Sequence, residues 1–66
     1  MNIQLNGENR EIPDNSTAQD LVETLGLGGK RLAMEVNREI VPRSTYASTT
    51  LKQGDEIEIV HAIGGG

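Results

Sequence analysis

Asn2-Ile3-Gln4-Leu5-Asn6 alternates polar and apolar residues with a period of two, the spacing of a strand that buries one face. Ile3 and Leu5 are expected to point inward. Asn6-Gly7-Glu8-Asn9 offers turn residues, and Arg10-Glu11-Ile12 returns as a short second strand. Pro13 closes that strand because it has no N–H to give a ladder. Ser16-Thr17-Ala18-Gln19 then reads as a capping box, with Ser16 at the N-cap and Gln19 reaching back to it. Ala18, Leu21, Val22 and Leu25 follow at helical spacing and form one apolar stripe, while Gln19, Asp20, Glu23 and Thr24 turn to water. Asp20 suits the positive end of the helix dipole, and Gly26 is placed to end the helix in the left-handed conformation.

The second half repeats the hairpin theme. Leu27-Gly28-Gly29-Lys30 is a loop, and Leu32-Ala33-Met34-Glu35-Val36 alternates as a third strand. Asn37-Arg38 makes a tight two-residue turn into Glu39-Ile40-Val41, a short strand that Pro42 stops. Residues 44–50 are polar and poorly periodic, which predicts a loop with one short helical turn. Gln53-Gly54-Asp55 is a turn, and Glu56 to Ile63 is the longest strand candidate. The order β-β-α-β-β-β predicts an α+β fold: a mixed sheet of four or five strands, its last strand central, packed on one main helix. One domain over residues 1–63 is expected, followed by a glycine tail at 64–66.

Composition narrows the chemistry. Tyr46 is the single aromatic residue, so the core is expected to be aliphatic. Cysteine is absent, which removes disulfides, thiolate nucleophiles and thiolate metal sites and fits a reducing cytoplasm. Ten acidic residues against six basic ones leave a net charge of −4, which repels nucleic acid and favours a basic protein partner. No apolar run approaches the roughly 20 residues that span a bilayer, so a soluble, membrane-free monomer is expected.

Few side chains invite catalysis. His61 is the only histidine and has no partner at suggestive spacing, so a packed or rim role is expected rather than a base or a metal ligand. Glu56 and Glu58 share the solvated side of a strand. Gly26, Gly28 and Gly29 end a helix instead of opening one and lack the Gly-Lys-Ser/Thr ending of a phosphate loop. On the last strand Ile57, Ile59 and Ile63 share one face, and Glu56, Glu58, Val60 and Ala62 share the other. Val60, Ala62 and Ile63 therefore form a candidate partner surface, or else fill a sheet buried on both sides. Arg43, after Pro42, either reaches a partner's carboxylate or is an ordinary surface arginine. Gly64-Gly65-Gly66 has no Cβ and, counted from Ile63, reaches at most about 14 Å, enough to thread a narrow cleft. The bland reading of that segment is a frayed end.

Three stretches, Val36-Asn37-Arg38-Glu39-Ile40-Val41-Pro42-Arg43, Gln53-Gly54-Asp55-Glu56-Ile57-Glu58-Ile59-Val60 and Gly65-Gly66, resemble the ThiS family of ubiquitin-like β-grasp sulfur carriers in thiamin biosynthesis. The resemblance runs end to end. It implies that the Gly66 carboxylate is adenylated by a ThiF-like, E1-like adenylyltransferase using ATP and magnesium. A persulfide derived from cysteine desulfurase or a sulfurtransferase then yields a Gly66 thiocarboxylate, whose sulfur passes to the thiazole synthase ThiG. On this reading the chain is no enzyme and binds no cofactor of its own, and Gly64 and Gly65 thread the tail. Three alternatives stay open: a carrier like the small subunit of molybdopterin synthase, a modifier joined to lysine, and a β-grasp module that binds partners without covalent chemistry.

Overall fold

The computed structural model describes residues 1–61. Five strands, β1 (Asn2–Leu5), β2 (Glu8–Glu11), β3 (Leu32–Val36), β4 (Glu39–Val41) and β5 (Glu56–His61), form one sheet in the order β2-β1-β5-β3-β4. The helix α1 (Ala18–Thr24) and a 3-10 helix (Arg43–Ser48) complete the described chain. β5 lies in the centre, parallel to β1 and antiparallel to β3, and both hairpins are antiparallel. The mixed sheet has five strands where four or five were expected.

Alternation decides which face is inside. Ile3, Met34, Ile57 and Ile59 are buried, while Gln4, Glu35, Glu56 and Glu58 beside them are exposed. Ala18, Leu21 and Val22 of α1 are buried in the same core, each larger one contributing about 1.5–3 kcal/mol of burial. Ile12 and Leu51 belong to the same core. β2 is exposed along its whole length, and its charged side chains guard that sheet edge.

Both hairpins turn through two residues at positive φ, Asn6 (50°) and Gly7 (83°) in the first, Asn37 (52°) and Arg38 (71°) in the second. This is the primed geometry that matches strand twist. The first turn is thus shorter than expected, and β2 starts at Glu8 because Asn6-Gly7 alone closes the hairpin.

Thr17, not Ser16, caps α1. Thr17 Oγ1 accepts from the Asp20 N–H at 3.1 Å, and Asp20 Oδ2 accepts from the Thr17 N–H at 3.0 Å. Ser16 is diverted: its hydroxyl donates to the Pro13 carbonyl, and its own carbonyl accepts from the Leu51 N–H. Gln19, freed of capping, donates to Glu23. Gly26 takes the left-handed φ of 74° as expected.

Residues 43–48 hold more order than one turn. Hydroxyls bind back to carbonyls, Thr45 to Pro42 and both Ser48 and Thr49 to Thr45, and the 3-10 helix packs against α1. Tyr46 is only 3% exposed there, so the core is aliphatic but for this ring.

Candidate functional site

β5 is the strand that leads toward residues 62–66, and its placement governs what surrounds that segment. It is hydrogen-bonded to β3 on one flank and to β1 on the other. Where β1 ends, Asn6 continues the contact: its Oδ1 accepts from the Ile59 N–H and its Nδ2 donates to the Ile59 carbonyl. On the opposite flank Asn37 Oδ1 accepts from the Glu56 N–H, and Asn37 Nδ2 donates to Asp55. Each hairpin therefore lends one asparagine to hold β5. The left-handed turn positions explain why asparagine serves, since its short amide tolerates that conformation.

Val60 points outward and is 65% exposed, which settles its part of the sequence reading against a sheet buried on both sides. Arg43 is exposed at the start of the 3-10 helix, with no ion pair among the described residues. It lies on a different element from Val60. His61 is exposed at the end of β5, a rim position. Ala62, Ile63, Gly64, Gly65 and Gly66 lie outside the described residues. Gly26 and Gly29, at positive φ, serve the helix stop and the connector after it.

Among the described residues no three of His, Asp or Glu stand close enough together to hold a metal ion. An open depression among the described residues is lined by Pro13, Asp14, Asn15 and Ser16 and by Asp20, Glu23 and Thr24 of α1.

Ile40 was missed. It is 78% exposed on the same outward face as Val60. A signal was available, since Ile40 and Val41 are adjacent in a strand and one of the two had to face out.

A five-stranded mixed sheet holding a helix, with its central strand last in the chain, defines a ubiquitin-like β-grasp protein. The ThiS family model matches residues 3–66, and the chain belongs to the ThiS family. The crystal structure of the thiamine biosynthesis protein ThiS from Geobacter metallireducens is similar over the full length of both chains, with a TM-score of 0.85 and 28% identity. The sulfur carrier protein ThiS of Bacillus subtilis is 40% identical over 65 residues, covering 97% of this chain and 98% of that one. A thiazole synthase of Paramagnetospirillum magneticum is 42% identical over all of this chain, which spans only 20% of that protein's length.

Proposed function

We propose that this chain is a sulfur carrier for thiazole formation in thiamin biosynthesis and that its load is held on the carboxyl carbon of Gly66. The observation that carries the reading is the family match running through Gly66, joined to the likeness in length and sequence to the sulfur carrier of Bacillus subtilis. A carboxylate is a poor acyl donor until its oxygen becomes a good leaving group. Attack of that oxygen on the α-phosphorus of ATP expels pyrophosphate and gives the acyl-adenylate. The terminal sulfur of a persulfide, supplied through a cysteine desulfurase or sulfurtransferase, then attacks the acyl carbon and AMP leaves. A thiol then attacks the donor's sulfur in the resulting acyl disulfide, forming a new disulfide with the donor and releasing the thiocarboxylate.

ATP and magnesium belong to the activating enzyme, a ThiF-like adenylyltransferase, and the sulfur acceptor is the thiazole synthase. The occurrence of a full-length match to this chain inside a protein named thiazole synthase supports that acceptor over the molybdopterin branch. Catalysis is left to the partners. This domain contributes a firm handle, its central strand, and the glycines Gly64 and Gly65 behind the reacting group contribute a thread thin enough for an active-site channel.

Intact mass spectrometry after incubation with the activating enzyme, ATP and a persulfide donor tests the reading. Exchange of one oxygen for sulfur is expected. Lysine-linked adducts would instead identify a modifier, and an unchanged mass with partner binding intact after deletion of Gly65 and Gly66 would identify a non-covalent module.

A further inference from the structure

Asn6-Gly7 is the one place in the sequence where glycine follows asparagine. The pair forms the β1-β2 turn, at φ 50° and 83°, and both residues are exposed to water. Such a pair carries its own chemistry. The Gly7 nitrogen attacks Cγ of the Asn6 side chain and closes a succinimide ring, the bond from Cγ to Nδ2 breaks, and ammonia leaves with the proton that Gly7 gives up. Water then opens the ring at either carbonyl, leaving aspartate or isoaspartate with no change of oxidation state. Glycine favours the attack because no side chain crowds its nitrogen. Neighbours do not crowd it either, since nothing lies within 4 Å of where a Cβ of Gly7 would sit.

What restrains the reaction is Ile59. Asn6 Nδ2 donates to the Ile59 carbonyl at 3.2 Å and Oδ1 accepts from the Ile59 N–H at 2.8 Å, so the amide cannot turn onto its own backbone while β5 is seated. We propose that Asn6 is a deamidation site closed by β5: it converts when the Ile59 end of the strand lifts away, and conversion keeps that end from reseating. An aspartate in this place has no hydrogen to give, and its second oxygen would face the Ile59 carbonyl oxygen. Isoaspartate adds a carbon to the main chain inside a two-residue turn whose geometry sets the β1-β2 register. A reversible opening is thereby written into the covalent chain. Other asparagines lack the combination. Asn37 is also held through its side chain but precedes Arg38, and Asn15 precedes Ser16, whose nitrogen already donates to the Pro13 carbonyl. The site stands whether or not Gly66 carries sulfur.

The experiment incubates the full chain at mildly alkaline pH, folded and in urea, and assigns the one-dalton mass gain by peptide mapping, with a protein isoaspartyl methyltransferase reading the isoaspartate share. Asn6 is expected to convert at least about tenfold more slowly in the folded chain than in urea, and its rate should rise in step with hydrogen exchange of the Ile59 amide as urea is added below the unfolding transition. In Asn6→Asp the Ile59 amide is expected to exchange about tenfold faster than in the parent, with the Glu56 amide at the other end of β5 changed less. Equal conversion rates folded and in urea, or no conversion in urea, overturn the proposal. An Asn6→Asp chain whose Ile59 amide exchanges like the parent's, or no more readily than Glu56 does, overturns the release of the strand. The rate comparison uses the parent alone, so it decides the closed site even where the variant fails to fold.

Discussion

The side-chain amide of Asn6 holds both main-chain groups of Ile59, accepting from its N–H at 2.8 Å and donating to its carbonyl at 3.2 Å. A side chain thus substitutes for the next peptide unit of β1, which the hairpin has already turned away. Asn6→Gly keeps the left-handed turn and loses these two bonds, at an expected cost of about 1–2 kcal/mol. Asn6→Ala adds about 1 kcal/mol because alanine resists that φ. Urea midpoints at unchanged m-value measure both, and equal stability of the three proteins would refute the role.

Arg38 occupies a left-handed position, φ 71°, that glycine fills without strain. Arg38→Gly is expected to raise stability by about 0.5 kcal/mol, the relief of strain exceeding the added freedom of the unfolded chain. Arg38→Ala keeps the strain and should show no gain. Thermal melts of the two variants side by side decide it.

Tyr46 is the one aromatic residue of the chain and is buried in the same core cluster as Leu21 and Val22 of α1. Tyr46→Ala is expected to cost about 3 kcal/mol or more. At roughly 0.05–0.15 kcal/mol per residue, a domain of 66 residues has about 3–10 kcal/mol of stability in all, so this loss is a large share of it. Thermal melts followed by far-ultraviolet circular dichroism should show a melting temperature well below that of the parent. In the parent, Tyr46 fluorescence should follow unfolding of the core in one transition.

On the proposed carrier reading, adding one residue after Gly66 moves the carboxylate away from the position an adenylating enzyme would accept. Sulfur uptake in the mass assay is expected to fall below detection while the melting temperature stays unchanged. Undiminished uptake by that variant would sink the assignment of Gly66.

The strands were legible because alternation is a local property: Met34 between Ala33 and Glu35, or Ile57 between Glu56 and Glu58, declares its face without help. Asn37-Arg38 and Pro42 were equally plain, as turn and stop. The N-cap was not. Ser16 and Thr17 offer the same chemistry one residue apart, and the choice is made by the Leu51 N–H drawing on the Ser16 carbonyl and by the bridge from Thr17 to Thr50, both distant in sequence. Tyr46 was hidden for a related reason. A six-residue 3-10 helix has no apolar stripe to read, and the helix it packs against, α1, lies well before it in the chain. Of the candidate surface, Val60 was legible from the strand period, whereas Ile40 needed the pairing register to join it.

Because β5 runs parallel to β1 and is flanked by β3 as well, a tug applied beyond His61 loads both ladders lengthwise instead of opening them one bond at a time. Shear resists where peeling yields. A load passed into β5 is therefore shared by hydrogen bonds on both of its flanks at once, and the strand keeps its place in the sheet.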